Sequence, residues 1–180
     1  GKAHAEVNAL EKINYKGENT KVYITLEPCS HSGKTPPCAD ALIKAGVKKV
    51  FIAMLDPNPL VSGRGIKLLQ DSGIEVEVGL LEKEANEINR GFIKRMKSGL
   101  PFVTSKIAMS IDGRTAMKNG ESKWITSEAS RKDVQILRSL NQAIMTGSGT
   151  IKSDNPMMTV RIENADSKPL RVVICLLYTS

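Results

Sequence analysis

Hydrophobic and polar positions along the first half of the chain follow two alternating periods, which predict alternating strands and helices. Short apolar runs at residues 22–26 and 47–55 are typical of buried strands, and residues 74–78 alternate as a strand does. Residues 39–45 and 64–72 have helical composition, and a glycine follows each of them, which favours a helix end. This order predicts a largely parallel sheet with helices packed on its faces.

A longer amphipathic helix is predicted at residues 81–97, where apolar side chains recur at helical spacing. The Ser-Gly-Leu-Pro segment at residues 98–101 breaks this pattern, because glycine and proline disfavour a continuing helix. We therefore place a domain boundary here, with a first domain at residues 1–98 and a second at residues 99–180.

The second half repeats the alternation of strands and helices, and the predicted fold class of the whole chain is α/β. The elements predicted there are a strand at 102–109, a turn at 112–113, a helix at 127–140, a strand at 143–146, a glycine-bearing turn at 147–150 and a strand at 171–174.

Composition agrees with a globular protein. Of 180 residues, 41% are hydrophobic and 25% are charged, which is enough apolar content for a buried core. No apolar run approaches the ~20 residues of a membrane span, and the first residues do not have the pattern of a secretory signal. We therefore expect a cytoplasmic protein without a membrane partner. The net charge of +7 suits nucleic acid and a phosphorylated small molecule equally well.

Four residues carry the strongest chemical signal of the sequence. His4, Cys29 and Cys38 offer one imidazole and two thiolates, a three-ligand zinc set that leaves the fourth position open for water. Glu6 stands two residues after His4, where it is available for proton transfer. His-x-Glu followed by Pro-Cys and a later Cys is the signature of zinc-dependent nucleobase deaminases.

Helix starts are predicted to bring these residues together. Residues 5–12 are expected to be helical, with His4 and Glu6 at the first turn. Pro36 and Pro37 precede a helix that Cys38 begins, since proline is tolerated in the first turn. A helix N-terminus favours thiolate over thiol, so we expect a lowered pKa at this cysteine.

Two segments of the first half resemble the bifunctional deaminase/reductase family of riboflavin biosynthesis. They are TLEPCSHSGKTPPC at residues 25–38 and DPNPLVSGRG at residues 56–65. The resemblance implies a cytidine-deaminase-like α/β/α layered domain and a small substrate, a diaminopyrimidinone carrying a ribosylamino phosphate. It also implies that His31, Lys34 and Asn58 bind this substrate, with the first two holding its phosphate.

The second half is similar to the reductase of the same family, a dihydrofolate-reductase-like α/β domain that uses NADPH. The similar segments are KIAMSIDGRTA at 106–116, GESKWIT at 120–126, DVQILR at 133–138 and TIKSDNPMMTVR at 150–161. By motif position, the implied cofactor contacts are Ala108, Trp124, Thr150 and Asp154, and the implied substrate contacts are Ser122, Arg138, Met158 and Arg161. The implied reaction is a hydride transfer that opens and reduces a ribosyl group to ribityl.

Measured against the family pattern, segments before His4 and after the last strand are expected to be missing, and residues 175–180 are expected not to be native. We therefore expect this chain to have little activity by itself. The resemblance further implies a homo-oligomer at full length and no nucleic-acid partner.

Three other interpretations remain open from the residues. A tRNA or other nucleotide deaminase would explain the basic charge but predicts a Cys-x-x-Cys site, whereas eight residues separate Cys29 from Cys38. A non-catalytic zinc module that binds nucleic acid predicts a fourth protein ligand, for which His31 is the candidate. A reductase with a degenerate deaminase half is the third, although the intact zinc set argues against it.

Overall fold

The computed structural model describes residues 3–33, 35–59 and 61–175. It divides the chain into two compact units, Gly1–Thr104 and Ser105–Ser180. No helix in the described part of the chain has the length and apolarity needed to cross a bilayer. Of the C-terminal tail that the sequence sets apart, only Cys175 lies within the described residues.

The first unit contains a parallel three-stranded sheet with β2 in the centre. Its elements are α1 (Ala5–Lys12), β1 (Lys21–Ile24), α2 (Cys38–Lys44), β2 (Lys49–Ile52), α3 (Arg64–Asp71), β3 (Glu75–Val78) and α4 (Glu82–Ser98). In the central register, Val22 lies beside Val50 and Val50 beside Val76. The predicted order of elements and the predicted parallel pairing are confirmed, with boundaries that shift by up to three residues.

One face of this sheet carries the core of the first unit. Val50 and Ile52 of β2 are fully buried, and they belong to one cluster with Leu42 of α2 and Leu69 of α3. Leu10 of α1 joins the same cluster. Because the three helices share one apolar cluster, their N-terminal ends are held at fixed positions relative to the sheet.

The opposite face of the sheet is covered by side-chain pairs that cross between strands. The rings of Tyr23 and Phe51 stack with their centroids 4.6 Å apart. The Lys49 ammonium lies 3.0 Å from a carboxylate oxygen of Glu77 and 3.8 Å from one of Glu75. Cross-strand pairs of this kind stabilise neighbouring strands.

The helix α4 packs where the strands β1 and β2 end. Its buried Ala85 forms a second, small apolar cluster with Ala53 and Met54, which directly follow β2. Gly99, with φ of 70°, ends the helix in the left-handed conformation that glycine adopts without strain.

The described part of the second unit contains a parallel two-stranded sheet and two helices. Its elements are α5 (Glu128–Ser139), β4 (Ala143–Gly147), α6 (Ser148–Asp154) and β5 (Leu170–Ile174). The N-terminus of α5 has a local cap, because the Ser130 N–H donates to Ser127 Oγ at 3.2 Å. The helix predicted at 127–140 and the strands predicted at 143–146 and 171–174 are confirmed.

Two predictions for the second half are wrong. Residues 101–110 contain no strand, and Val103 and Ile107 of this segment are exposed. A strand needs a neighbour for its backbone groups, and neither sheet in the described chain pairs with this segment. The glycine-bearing turn predicted at 147–150 is the start of α6, with Gly147 as its N-cap. Glycine is an accepted N-cap residue, so the same signal also fits a helix start.

Candidate active site

The first metal-ligand candidate stands at the start of α1. His4 is the N-cap residue of this helix, with extended backbone angles, and its carbonyl accepts the N–H of Asn8 at 3.0 Å. Glu6 lies in the first turn of the same helix. The helix start was predicted, and it places both side chains where the chain changes direction.

A backbone hydrogen bond at the start of α2 connects the two cysteines. Cys38 is the first residue of this helix, after Pro37 as N-cap, and its side chain is buried. The Cys38 N–H donates to Cys29 Sγ at 3.3 Å, and the Ala39 N–H donates to the Cys29 carbonyl at 3.2 Å. The backbone at the N-terminus of α2 therefore holds Cys29 in place.

These three side chains form one group. His4 Nδ1 lies 3.2 Å from Cys38 Sγ and 3.7 Å from Cys29 Sγ, and all three ligand atoms lie within 4.8 Å of one another. A tetrahedral zinc with ordinary bond lengths separates its nitrogen and sulfur ligands by about 3.6 Å and two sulfurs by about 3.8 Å. The donor set and its spacing therefore fit zinc.

Electrostatics at Cys38 differ from the prediction. Burial raises the pKa of the Cys38 thiol, and the nearby Glu6 carboxylate and Cys29 thiol raise this pKa further. The predicted lowering of this pKa by the helix N-terminus is therefore outweighed by burial and by neighbouring negative charge. A divalent cation reverses this balance, because a coordinating thiol is deprotonated.

The Glu6 carboxylate lies near the Cys38 thiol, close enough for its negative charge to raise the pKa of Cys38. Glu6 is half-buried, so its carboxylate is accessible to a small molecule at the metal group. The structure thus brings together all four residues of the deaminase signature, His4, Glu6, Cys29 and Cys38.

The candidate residues for substrate binding in the first unit have fewer described contacts with one another than the metal-ligand candidates have. His31 is exposed and makes no hydrogen bond or ion pair with another described residue. Asn58 is half-buried in the loop after β2, where its N–H donates to Asp56 Oδ1 at 2.8 Å. Lys34 lies outside the described residues.

Sequence reasoning missed Glu27, which accepts backbone N–H groups from the loop that contains Asn58. The sequence shows only an acidic residue between an apolar run and the Pro-Cys of the metal group, which does not reveal these backbone partners.

The four candidate cofactor residues of the second unit are spread over several segments. Trp124 is 71% exposed, and the Arg131 guanidinium lies 4.5 Å from its ring centroid. Thr150 and Asp154 stand on α6 and are exposed, while Ala108 is half-buried in the segment without regular structure. No contact described for the second unit joins these four residues to one another.

Three of the four candidate substrate residues of the second unit lie together. Arg138 Nη1 donates to the Thr159 carbonyl at 2.9 Å, next to the buried Met158. The Arg161 N–H donates to Gln135 Oε1 at 3.0 Å. Burial lowers the pKa of Arg138, and the positive charge of Arg161 lowers this pKa further. The positive charges of the two arginines therefore interact, an arrangement suited to an anion.

Ser122, the fourth candidate for substrate contact in the second unit, is exposed. No described contact joins it to the two arginines.

Comparisons with known protein families match both units. Residues 1–54 match the cytidine and deoxycytidylate deaminase zinc-binding region, and residues 101–176 match the RibD C-terminal domain. The riboflavin biosynthesis protein RibD of Bacillus amyloliquefaciens is 52% identical over 174 residues, covering 97% of this chain and 47% of the relative. The RibD of Escherichia coli K12 is 49% identical, with coverage of 97% and 51%. The chain spans about half the length of the curated relatives it matches.

Solved structures give the same result. Acinetobacter baumannii RibD superposes with a TM-score of 0.89 at 48% identity, over 97% of this chain and 50% of that one. A deaminase/reductase from Thermotoga maritima superposes with a TM-score of 0.87 at 42% identity, over 96% and 50%. The predicted fold class is confirmed: the chain has the mixed α/β structure of these proteins.

Proposed function

Because this chain is RibD-like along 97% of its length, we propose that it carries zinc-dependent deaminase machinery of riboflavin biosynthesis, followed by part of an NADPH-dependent reductase. The proposed deaminase substrate is a diaminopyrimidinone with a ribosylamino phosphate. Water replaces one exocyclic amino group of the pyrimidine, so that a carbonyl forms and ammonia leaves. The reductase then converts the ribosyl group to ribityl with hydride from NADPH.

The grouping of His4, Cys29 and Cys38 beside Glu6 is the single observation that supports the deaminase most strongly. These three residues would hold zinc and leave one position for a non-protein ligand. When bound, zinc supplies a nucleophile derived from water at neutral pH. Glu6 takes up a proton at its carboxylate and returns it to the leaving amino group.

His31, Lys34 and Asn58 are proposed to bind the phosphorylated end of this substrate. In the proposed reductase, the cluster around Arg138, Met158 and Arg161 binds the substrate together with Ser122. Ala108, Trp124, Thr150 and Asp154 contact NADPH. Two arginines whose positive charges interact favour a phosphorylated substrate over a neutral one.

A non-catalytic zinc module has less support. The metal-ligand group within the described residues has three members and does not include His31. A tRNA deaminase has less support too, since no Cys-x-x-Cys pair occurs in the sequence. A cytoplasmic location and a homo-oligomer stay predictions, as do the domain limits at residues 98 and 99.

Two measurements on the purified chain test this function. Metal analysis should give about one zinc per chain, and the cobalt-substituted protein should change its visible spectrum when a competing ligand such as cyanide is added. Ammonia release from the phosphoribosylamino-diaminopyrimidinone should depend on zinc. A cobalt spectrum that does not respond to added ligands would indicate four protein ligands and would reject the catalytic site.

A further inference from the structure

Glu27 is the one buried charged side chain among the described residues, with 3% of its surface exposed. Its two carboxylate oxygens accept N–H groups from a single region: Asp56 at 3.2 Å, Gly63 at 2.9 Å, Gly65 at 3.0 Å and Ile66 at 3.5 Å. No cation in the described part of the chain forms an ion pair with it. Backbone amides alone therefore balance this buried carboxylate, as an anion is balanced in a cradle of N–H groups.

This carboxylate caps a helix that has no cap of its own. The N-cap residue of α3, Gly63, offers no side chain, and the amides of Gly65 and Ile66 in the first turn point to Glu27 instead. Amides at a helix N-terminus carry partial positive charge, so a carboxylate is the favoured partner. Glu27 thus connects the segment before Cys29 to the start of α3.

A second contact, independent of the carboxylate, joins the same two segments. A Cβ atom at Gly65 would lie only 2.1 Å from the carbonyl oxygen of Pro28. Glycine is therefore required for this approach of α3 to the residue that precedes Cys29. The hydrogen bonds of Glu27 and the close approach at Gly65 thus maintain one arrangement.

We propose that Glu27 is a positioning residue that fixes the described part of the loop between β2 and α3, residues 56–59 and 61–63, and Asn58 within it, against the metal-ligand segment. The proposal rests on the proposed function, in which Asn58 contacts the substrate. One carboxylate bonds both ends of this loop, at Asp56 and at Gly63. The metal ligand Cys29 is held separately by the amide of Cys38. Loss of Glu27 should therefore loosen the substrate loop and leave the metal group assembled.

The variant Glu27→Gln tests this inference in the full chain, because the amide keeps the size of the side chain but turns a donor toward backbone donors. Amide hydrogen exchange should become at least about tenfold faster at one of two pairs, residues 56 and 63 or residues 65 and 66, since the NH2 group replaces the oxygen that one pair shares. The KM for the phosphorylated pyrimidine should rise by about tenfold while kcat stays within about threefold, the signature of lost uniform binding. Zinc content should stay at the wild-type value.

Two further variants separate positioning from general loss of stability. Gly65→Ala keeps the Glu27 carboxylate but disturbs the same arrangement, because the added Cβ would lie 2.1 Å from the Pro28 carbonyl oxygen, so it should reproduce the split between KM and kcat. Leu69→Ala opens a cavity in the core side of α3 and leaves the Glu27 contacts in place, so it should lower stability without changing KM.

Wild-type exchange rates at all four amides in Glu27→Gln would overturn the inference. A joint fall of zinc content and kcat with an unchanged KM would also overturn it. If the wild-type chain binds no zinc, the proposed function fails. Amide exchange in the metal-free protein then decides about Glu27 alone: faster exchange confined to these four amides supports its holding of the loop, and unchanged exchange rejects it.

Discussion

The two units of this chain differ in how their side chains are buried. In the first unit, three helices and the central strand contribute to one apolar cluster, and the buried carboxylate of Glu27 has backbone partners. In the described part of the second unit, Met158 is the one buried hydrophobic side chain. The buried hydroxyl of Thr159, next to it, has no hydrogen-bond partner. Among the described residues, the second unit thus has fewer buried hydrophobic side chains than the first, and it contains a buried polar atom without a hydrogen-bond partner.

This difference parallels the state of the two candidate sites. The metal group takes its atoms from α1, from α2 and from the segment after β1, and a shared core holds these elements. The candidate cofactor contacts of the second unit are mostly exposed and are not joined. A site built from several elements therefore depends on the core beneath them, and motif residues alone do not assemble it.

The largest expected effect comes from removing a metal ligand of the first unit. Cys38→Ser should lower zinc affinity by more than about 100-fold, the upper range for loss of an outer-shell partner, and should abolish deamination. Metal analysis and a chelator competition measure this change. Cys175→Ser is the matched control and should keep wild-type zinc content. If Cys38→Ser bound zinc with wild-type affinity, the three side chains of the first unit would not form an assembled metal site, and the contrast with the second unit would be wrong.

The next effect separates binding from chemistry within the first unit. Glu6→Gln should keep zinc bound but slow deamination by roughly 10²- to 10⁴-fold, the usual contribution of a positioned acid/base. Glu11→Gln, an exposed change on the same helix, serves as the control. Loss of zinc in Glu6→Gln would instead assign Glu6 a role in holding the metal group.

Stability measurements compare the two cores directly. Leu42→Ala should destabilise the first unit by about 2–5 kcal/mol, because it removes a fully buried side chain from the main cluster. Ile136→Ala on α5, where the side chain is half exposed, should cost under about 1 kcal/mol. Urea unfolding measures both, with amide exchange for the first unit and fluorescence of Trp124, the single tryptophan, for the second. Equal losses would contradict the contrast in burial.

The smallest effect concerns the charges of the second unit. Arg161→Gln removes the positive charge that lowers the pKa of Arg138, so the melting temperature should rise slightly in low-salt buffer without phosphate. The rise should disappear at high salt, because screening already weakens the repulsion. Arg171→Gln makes the same change in net charge on the exposed surface of β5. An equal rise in that control would attribute the effect to net charge.

Local patterns predicted most elements, because the helices and strands of this chain have the apolar periodicity and the helix-end residues that are typical of them. The start of α1 at Ala5 and of α3 at Arg64 follow from composition and helix-start chemistry. The wrongly predicted strand at residues 102–109 has the apolar content of a strand. Whether a neighbouring strand exists is a property of the fold, and no local pattern reports it.

The candidate site was predictable only where a motif encodes it. His4, Glu6, Cys29 and Cys38 could be grouped because their residue types and order form a known signature. The role of Glu27 could not be found this way, since its partners are backbone amides 29 to 39 residues further along the chain. A sequence does not show which backbone N–H groups meet a side chain, because every residue except proline has one.

The two ways of capping helices in this protein have a consequence for the order in which its parts fold. α5 finds its cap three residues away, at Ser127, so this turn can form within a short peptide. The cap of α3, Glu27, lies 38 residues before Gly65 in the sequence. Bringing the two together closes a long loop of chain, which has an entropic cost that grows with the length of that loop. Nascent helix should therefore form early around Ser127, whereas the start of α3 becomes ordered only when the segment after β1 that contains Glu27 is in position.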